Sequence, residues 1–436
     1  MPPSPCSLTS AAGALRISLV ADARSPIAQS WFEAVLDAGH TIQVLSTYPV
    51  SALKVPGRLI VLPTLPVAAA RMKPSNAERA RSRTAGGPRE HRRARVATRP
   101  RNTSEVDLLR TAAYRETRLL AEMLFRRSAG HATQRALDDF QPDVVHALRI
   151  PYEAMLIAPT MRNRAEPFVV STWGNDLTLW AAKSWAHRRL TRSVFRRVDC
   201  LHSDCDRDIG LARQLGYTGP SVVAPGSGGI DVEKLLAAGS SLRGRELLRA
   251  PKDAPIIFNP RSYRPYVRND VFFAALPAVM ECFPTAIAVT VGMERNTYFQ
   301  DYAGALGISD SVRFLPSQDR SGMADLFCAA TVTVSPSTHD GTPNTVLEAM
   351  AFGSFPIVGE LTSLREWVEP GVNGLAVDPN DAEALSRAMI RGLRDVALRD
   401  RAAIRNRALV AARASREASR PALERLYTLA KRGSAM

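Results

Sequence analysis

At 436 residues the chain exceeds what one hydrophobic core ordinarily supports, so two domains are expected. Its 45% hydrophobic content is that of a soluble globular protein, and no apolar run approaches the roughly 18 residues that a membrane span needs. The formal net charge of +15 suggests a nucleic-acid partner until it is located: eleven Arg/Lys against two Glu fall between Arg71 and Arg101, so most of the excess is one local block.

Met1–Gly13 is Pro/Ser-rich and uncharged, without the basic start and long apolar run of a secretory signal. The run Arg16–Ala21 predicts a buried strand, Ile27–Gly39 a helix with Trp31, Phe32, Val35 and Leu36 on one face, and Thr41–Ser46 and Arg58–Leu62 two further strands. Strands alternating with helices indicate a parallel α/β sheet. The pattern collapses over Pro66–Thr103, which predicts a disordered insert. As a functional segment that insert fits a peripheral attractor for anionic lipid headgroups. It fits a nucleic-acid arm less well, because it holds no aromatic residue to stack on bases.

Helical periodicity resumes over Val106–Phe140, followed by strands at Asp143–His146 and Phe168–Thr172 and a helix from Trp180 to Arg197. A second α/β series begins with the strand Pro255–Asn259. It continues through the helix Asp270–Cys282 and strands at Ala286–Gly292, Val312–Leu315 and Thr331–Val334. Two such halves predict a ligand cleft between them. The five cysteines are scattered without a C-x-x-C pair, which points to a reducing, cytoplasmic compartment and predicts no metal site.

The informative stretch is Ser335–Gly353: a buried strand, a polar Gly/Pro loop and a helix opening near Asn344. A loop at the carboxyl edge of a parallel strand is where such sheets bind ligands, and a helix N-terminus suits a diphosphate. Asp340 and Glu348 are acceptor-only carboxylates when ionised, suited to holding hydroxyl groups. A plainer account also fits, since Asn344 is a good N-cap and a Glu early in a helix is favoured by the dipole alone.

This segment resembles the donor-binding signature of retaining glycosyltransferase family 4: two acidic residues eight positions apart, then Ala349-Met350-Ala351-Phe352-Gly353. Gly229-Ile230-Asp231, Arg261 after its strand, and the Gly371–Leu375 run resemble further family features. The resemblance implies a GT-B fold: an acceptor-side Rossmann-like domain at 1–235 (with 66–104 as the insert), a donor domain at 236–413, and a crossover helix at 414–436. It implies metal-independent, retaining transfer of a sugar from a UDP- or GDP-sugar to a glycan or lipid-linked acceptor, with no cofactor. Bacterial surface polysaccharide or glycolipid synthesis is the expected setting, in the cytoplasm or at the inner face of the plasma membrane.

By the same resemblance Arg261, Arg268 and Asp340 are catalytic; Glu348, Gly341, Thr342, Asn344, Thr345 and Arg264 bind the donor. Arg268 or Arg264 stands in for a missing diphosphate-binding lysine, and Pro343, which has no N–H, leaves the phosphate to the amides of Asn344 and Thr345. On the acceptor side the glycine-rich loop after the first strand is absent and Trp173 stands where many members have histidine. Asp22, Trp173, Asn175, Asp176 and His146 are the candidates there. These departures keep two alternatives open: a non-catalytic glycan- or partner-binding module, and a nucleotide-sugar epimerase on the same scaffold.

Overall fold

The computed structural model describes residues 13–64, 124–182, 185–225 and 227–433. The Arg-rich block at 71–101 and the first part of the expected helix at 106–140 lie outside them. The remainder, 124–140, is helical.

Two all-parallel sheets organise the chain. The first has seven strands in the order β3-β2-β1-β4-β5-β6-β7: Arg58–Val61, Thr41–Ser46, Arg16–Ala21, Val144–Ala147, Phe168–Thr172, Cys200–Ser203 and Ser221–Val223. The second has six in the order β10-β9-β8-β11-β12-β13: Val312–Leu315, Ile287–Val291, Ile256–Asn259, Val332–Ser335, Phe355–Gly359 and Leu375–Val377. Helices cover both faces, which is why strands such as Val144–Ala147 and Ile256–Asn259 are buried at every position rather than alternating. This is the two-domain GT-B architecture.

In each sheet the strand order reverses once, between β1 and β4 and between β8 and β11. Such reversals open a crevice beyond the carboxyl ends of the strands. Helix Val232–Ala238 packs Leu235 into the core of the second sheet, so the expected division after residue 235 falls inside an element of the second domain. Helix Arg416–Gly433 returns to the first domain, burying Leu423, Leu426, Tyr427 and Ala430 against that sheet.

Two local differences from the sequence expectations have physical causes. The expected helix at 180–197 is preceded by a π-helical turn, Asp176–Ala181, because the Asp176 carboxylate accepts from the Trp173 amide at 3.1 Å and draws the chain back before the helix Trp185–Phe195 starts. Asn344 is the first residue of helix Asn344–Phe352 and not its cap. Pro343, at φ −69°, takes the cap position, and the Asn344 side chain instead donates from Nδ2 to Ser227 Oγ at 3.3 Å.

A buried hydrogen-bond chain ties the returning helix to the first sheet. Tyr427 Oη lies 3.1 Å from His146 Nδ1, His146 Nε2 2.8 Å from Ser171 Oγ, Ser171 Oγ 2.9 Å from His202 Nδ1, and His202 Nε2 2.9 Å from the Ala224 carbonyl. A carbonyl only accepts, so His202 carries its proton on Nε2 and every donor in the chain points from Tyr427 toward Ala224. Burial pushes both imidazoles down, His202 to about 4 and His146 well below its usual value, helped for His146 by the neighbouring His202. Depressed histidine pKa values mean stability that is present above the unfolded value near 6.5 and lost as pH falls toward 4.

Unfolding free energy should therefore drop between pH 6.5 and 4, by about 1.4 kcal/mol per pH unit for each fully depressed histidine. Denaturation midpoints across that range check it. Tyr427→Phe, which leaves the His146 acceptor buried without its donor, should cost about 1–3 kcal/mol at pH 7.5; an unchanged midpoint would contradict the chain.

Candidate functional site

The two crevices open onto one cleft with a cavity of about 590 Å³. From the second sheet, Arg261 follows β8 and Asp340 follows β11, so the two sides of that strand-order reversal supply one residue each. Their side chains form an ion pair, and Arg261 also reaches Ser337 Oγ at 3.5 Å and lies over the Tyr266 ring. Burial opposes the Arg261 charge, but Asp340 and Tyr266 outweigh it and raise its pKa above the usual value.

Helix Asn344–Phe352 points its N-terminus at the same cavity, with Gly341, Thr342, Pro343, Asn344 and Thr345 in the wall. Its first amides have no intrahelical acceptor and carry the positive end of the helix dipole. Gly353 ends the helix at φ +82°, a left-handed conformation that glycine adopts without strain. Glu348, one turn in, also lines the cleft. Burial pushes its carboxyl up to about 7 against the opposing charge of Arg320. Arg264 lies in the cleft wall. Arg268 does not line it: at φ +58° its guanidinium turns away to Asp270 at 2.9 Å and to Asn380.

From the first sheet, β4 delivers Arg149 and β5 delivers Trp173, Gly174 and Asn175 to the opposite wall. Asp176 lies behind them, fully buried. It accepts from Arg149 Nε at 2.9 Å, while Arg149 Nη2 donates to Asn175 at 2.8 Å and the guanidinium sits 5.6 Å from the Trp173 ring. Burial raises the Asp176 pKa despite Arg149, so Asp176 is a support for the wall. Two acceptor-side candidates do not reach the cleft. His146 is completely buried in the hydrogen-bond chain described above, because the returning helix covers its side of β4. Asp22 pairs with Arg24 at 3.0 Å outside the lining.

The walls touch where Gly174 meets Gly341. A Cβ at Gly174 would stand 1.8 Å from the Gly341 nitrogen, so no other residue fits. Beside this contact Arg207 donates to the Gly174 carbonyl and to Ser363 Oγ, both at 2.9 Å, and to the Asp340 carbonyl. Thr342 Oγ1 donates to the Asp204 carbonyl at 2.6 Å. Asp204, Cys205 and Asp208 bring their ligand atoms within 4.8 Å of one another, but Arg207 neutralises Asp208 at 2.7 Å and burial raises Asp204 well above the usual carboxylate range. That set serves the domain contact better than a cation.

Four buried donors in cleft residues, Trp31 Nε1, Trp173 Nε1, Thr345 Oγ1 and Arg416 Nε, have no hydrogen-bond partner among the described residues. Buried polar groups are rarely left so, and a polar ligand in the cleft would satisfy them. Sequence reasoning did not find Arg149, Arg207, Arg320 or Trp31. They come from four separate elements and carry no shared spacing.

Residues 243–409 match the family "Glycosyl transferases group 1". The chain is 31% identical over 166 residues to a D-inositol 3-phosphate glycosyltransferase of Streptosporangium roseum, covering 36% of this chain and only 38% of that protein. It is 28% identical over 290 residues to a phosphatidyl-myo-inositol mannosyltransferase of Mycobacterium leprae, 65% of this chain and 72% of that one. Among solved structures it resembles sucrose-phosphate synthase of Thermosynechococcus elongatus, with a TM-score of 0.72, 18% identity and coverage of 95% and 98%. It also resembles Anabaena HepE in complex with UDP-glucose, with a TM-score of 0.68, 14% identity and coverage of 95% and 100%. Residues 243–409 are thus similar to the group 1 glycosyl transferases, on a fold that these structures share along nearly the whole length of the chain.

Gly174→Ala should separate the walls and lower any cleft-dependent activity at least tenfold while leaving the thermal unfolding temperature within a few degrees. Parallel activity and melting measurements check this. Unchanged activity would show that the Gly174–Gly341 contact is not needed.

Proposed function

We propose that the chain is a retaining glycosyltransferase that moves a sugar from a nucleoside diphosphate sugar, with UDP or GDP as leaving group, to a glycan or lipid-linked acceptor. The observation that carries this reading is the convergence of Arg261, the N-terminus of helix Asn344–Phe352 and Glu348 on one cleft, inside the segment that matches the group 1 family. HepE's complex with UDP-glucose and the mycobacterial relative's lipid-acceptor name support the donor and acceptor classes in kind.

In this reading the diphosphate lies between Arg261, Arg264 and the amides of Asn344 and Thr345. Charge grows on the departing phosphate as the glycosidic bond breaks, so a guanidinium already fixed by Asp340 and a helix dipole already aimed there stabilise the transition state more than the ground state. Glu348 accepts from the ribose hydroxyls. Asp340, with one carboxylate oxygen on Arg261 and its carbonyl gripped by Arg207 and Ser363, offers its remaining oxygen to the transferred sugar. The acceptor enters along Arg149 and Trp173. It attacks from the face that the diphosphate leaves, and a phosphate oxygen takes its proton, so no protein base, nucleophile or metal is assigned. Contact between the two walls excludes water and limits hydrolysis of the donor.

Arg261→Ala should lower kcat/KM about 10²–10³-fold, the usual effect of removing one transition-state donor. Glu348→Ala should act chiefly through the donor KM. Donor turnover with UDP- and GDP-sugars measures both; full activity in both variants would remove the site assignment. Because burial pushes the Glu348 carboxyl up to about 7 and it accepts hydrogen bonds best when ionised, donor affinity should rise as pH passes upward through about 7. Glu348→Gln should flatten that profile. A wild-type affinity independent of pH from 6 to 8 would contradict this role.

A further inference from the structure

The helix Trp185–Phe195 carries a feature that the cleft does not use. At 100° per residue, Trp185, Arg188, Arg189 and Arg192, with Arg196 just past the helix end, fall within an arc of about 100°. All five are exposed, Trp185 at 76%. The opposite side, His187, Thr191, Val194 and Phe195, is buried in the first domain. Residues 185–197 contain no Asp or Glu. Among the described residues none of these four arginines takes part in an ion pair, whereas nearby Arg164 is neutralised by Asp138 and Glu166 and Arg197 by Asp199.

The positive field continues onto the neighbouring surface. Arg162 donates to Ser193 Oγ on this helix, and its charge, added to burial, lowers the pKa of Arg126. Arg126 and Arg162 line a separate open groove together with Arg127. Leu124, 81% exposed, lies beside Arg126 in the chain. Like charges gathered along 185–197 without a carboxylate among them raise the energy of the folded protein, and an anionic partner relieves it.

We propose that this face docks the protein on an anionic lipid bilayer, with Trp185 seated at the headgroup level and the arginines on the phosphates. Three features favour a bilayer. The stripe is flat and one-signed along a helix whose apolar side is already committed to the core, so contact needs no refolding. The exposed indole is the side chain enriched at the membrane–water boundary. The Arg189 guanidinium sits 5.6 Å from the Trp185 ring, holding indole and charge at one level. The chain reaches this helix directly from cleft residues Trp173–Asn175 through the turn Asp176–Ala181, so docking puts the acceptor wall next to the membrane. The inference concerns residues other than 71–101 and does not rest on the proposed catalytic activity.

The test is co-sedimentation of the full chain with vesicles of pure phosphatidylcholine and of phosphatidylcholine with 30% phosphatidylglycerol, in low and in physiological salt. The wild type should bind only the anionic vesicles and weaken as salt rises. At about fivefold per basic residue, Arg188→Gln/Arg189→Gln/Arg192→Gln/Arg196→Gln should bind at least a hundredfold more weakly, with segment 71–101 intact. Trp185→Ala should lose about tenfold. Both variants should keep the wild-type melting temperature and nucleotide affinity. Wild-type binding by the quadruple variant overturns the proposal, as does binding of the wild type to single-stranded RNA but not to anionic vesicles. Failure here would leave the glycosyltransferase reading untouched, since vesicle binding requires no turnover.

Discussion

The Arg261–Asp340 ion pair is the interaction around which the cleft is arranged. It spans the strand-order reversal of the second sheet, joining the loop after β8 to the loop after β11. A buried guanidinium needs a partner, and removing one member of such a pair leaves an uncompensated charge that costs several kcal/mol. The pair therefore fixes where the loop 336–343 runs. That loop in turn fixes where the helix Asn344–Phe352 begins, and so where its free amides and Glu348 stand.

The same loop is the meeting point of the two domains. Arg207 reaches from the first domain to the Asp340 and Gly174 carbonyls, and Gly174 approaches Gly341 more closely than any side chain permits. The cleft geometry and the contact between domains thus depend on one segment. Anything that moves Asp340 moves the donor wall and the domain contact together. On the far side, the polarised chain from Tyr427 to Ala224 anchors the returning helix behind Trp31, whose ring packs edge-to-face with His146 and His202 and also lines the cleft.

Much of this was legible in the sequence, for reasons that can be named. Parallel strands buried on both faces read as continuous apolar runs, so Arg16–Ala21 and Phe168–Thr172 announced themselves. Asp340, Glu348 and Arg261 sit in short local patterns tied to strand ends, and those patterns survive in one dimension. Arg149 and Arg207 were not legible because their roles exist only through partners far along the chain, at Asp176 and Asp340. The placement of Arg268 was not legible for a backbone reason: at φ +58° its side chain meets Asn380, which no residue spacing reveals. The burial of His146 was not legible because the residue that covers it, Tyr427, lies 281 positions later in the chain. The helix Trp185–Phe195 was legible only as part of a helix expected from Trp180 to Arg197, with no role attached. Its charged stripe acquires meaning only once the fold shows which carboxylates are already spent on other arginines.

The most direct measurement of the central claim is a crystal structure of the chain soaked with UDP or GDP. The account predicts the terminal phosphate between the Arg261 guanidinium and the amides of Asn344 and Thr345, at ordinary hydrogen-bond distances of about 2.7–3.2 Å, with the ribose on Glu348. A nucleotide bound with its phosphates away from Arg261, or a cleft that stays empty at millimolar nucleotide, would contradict it.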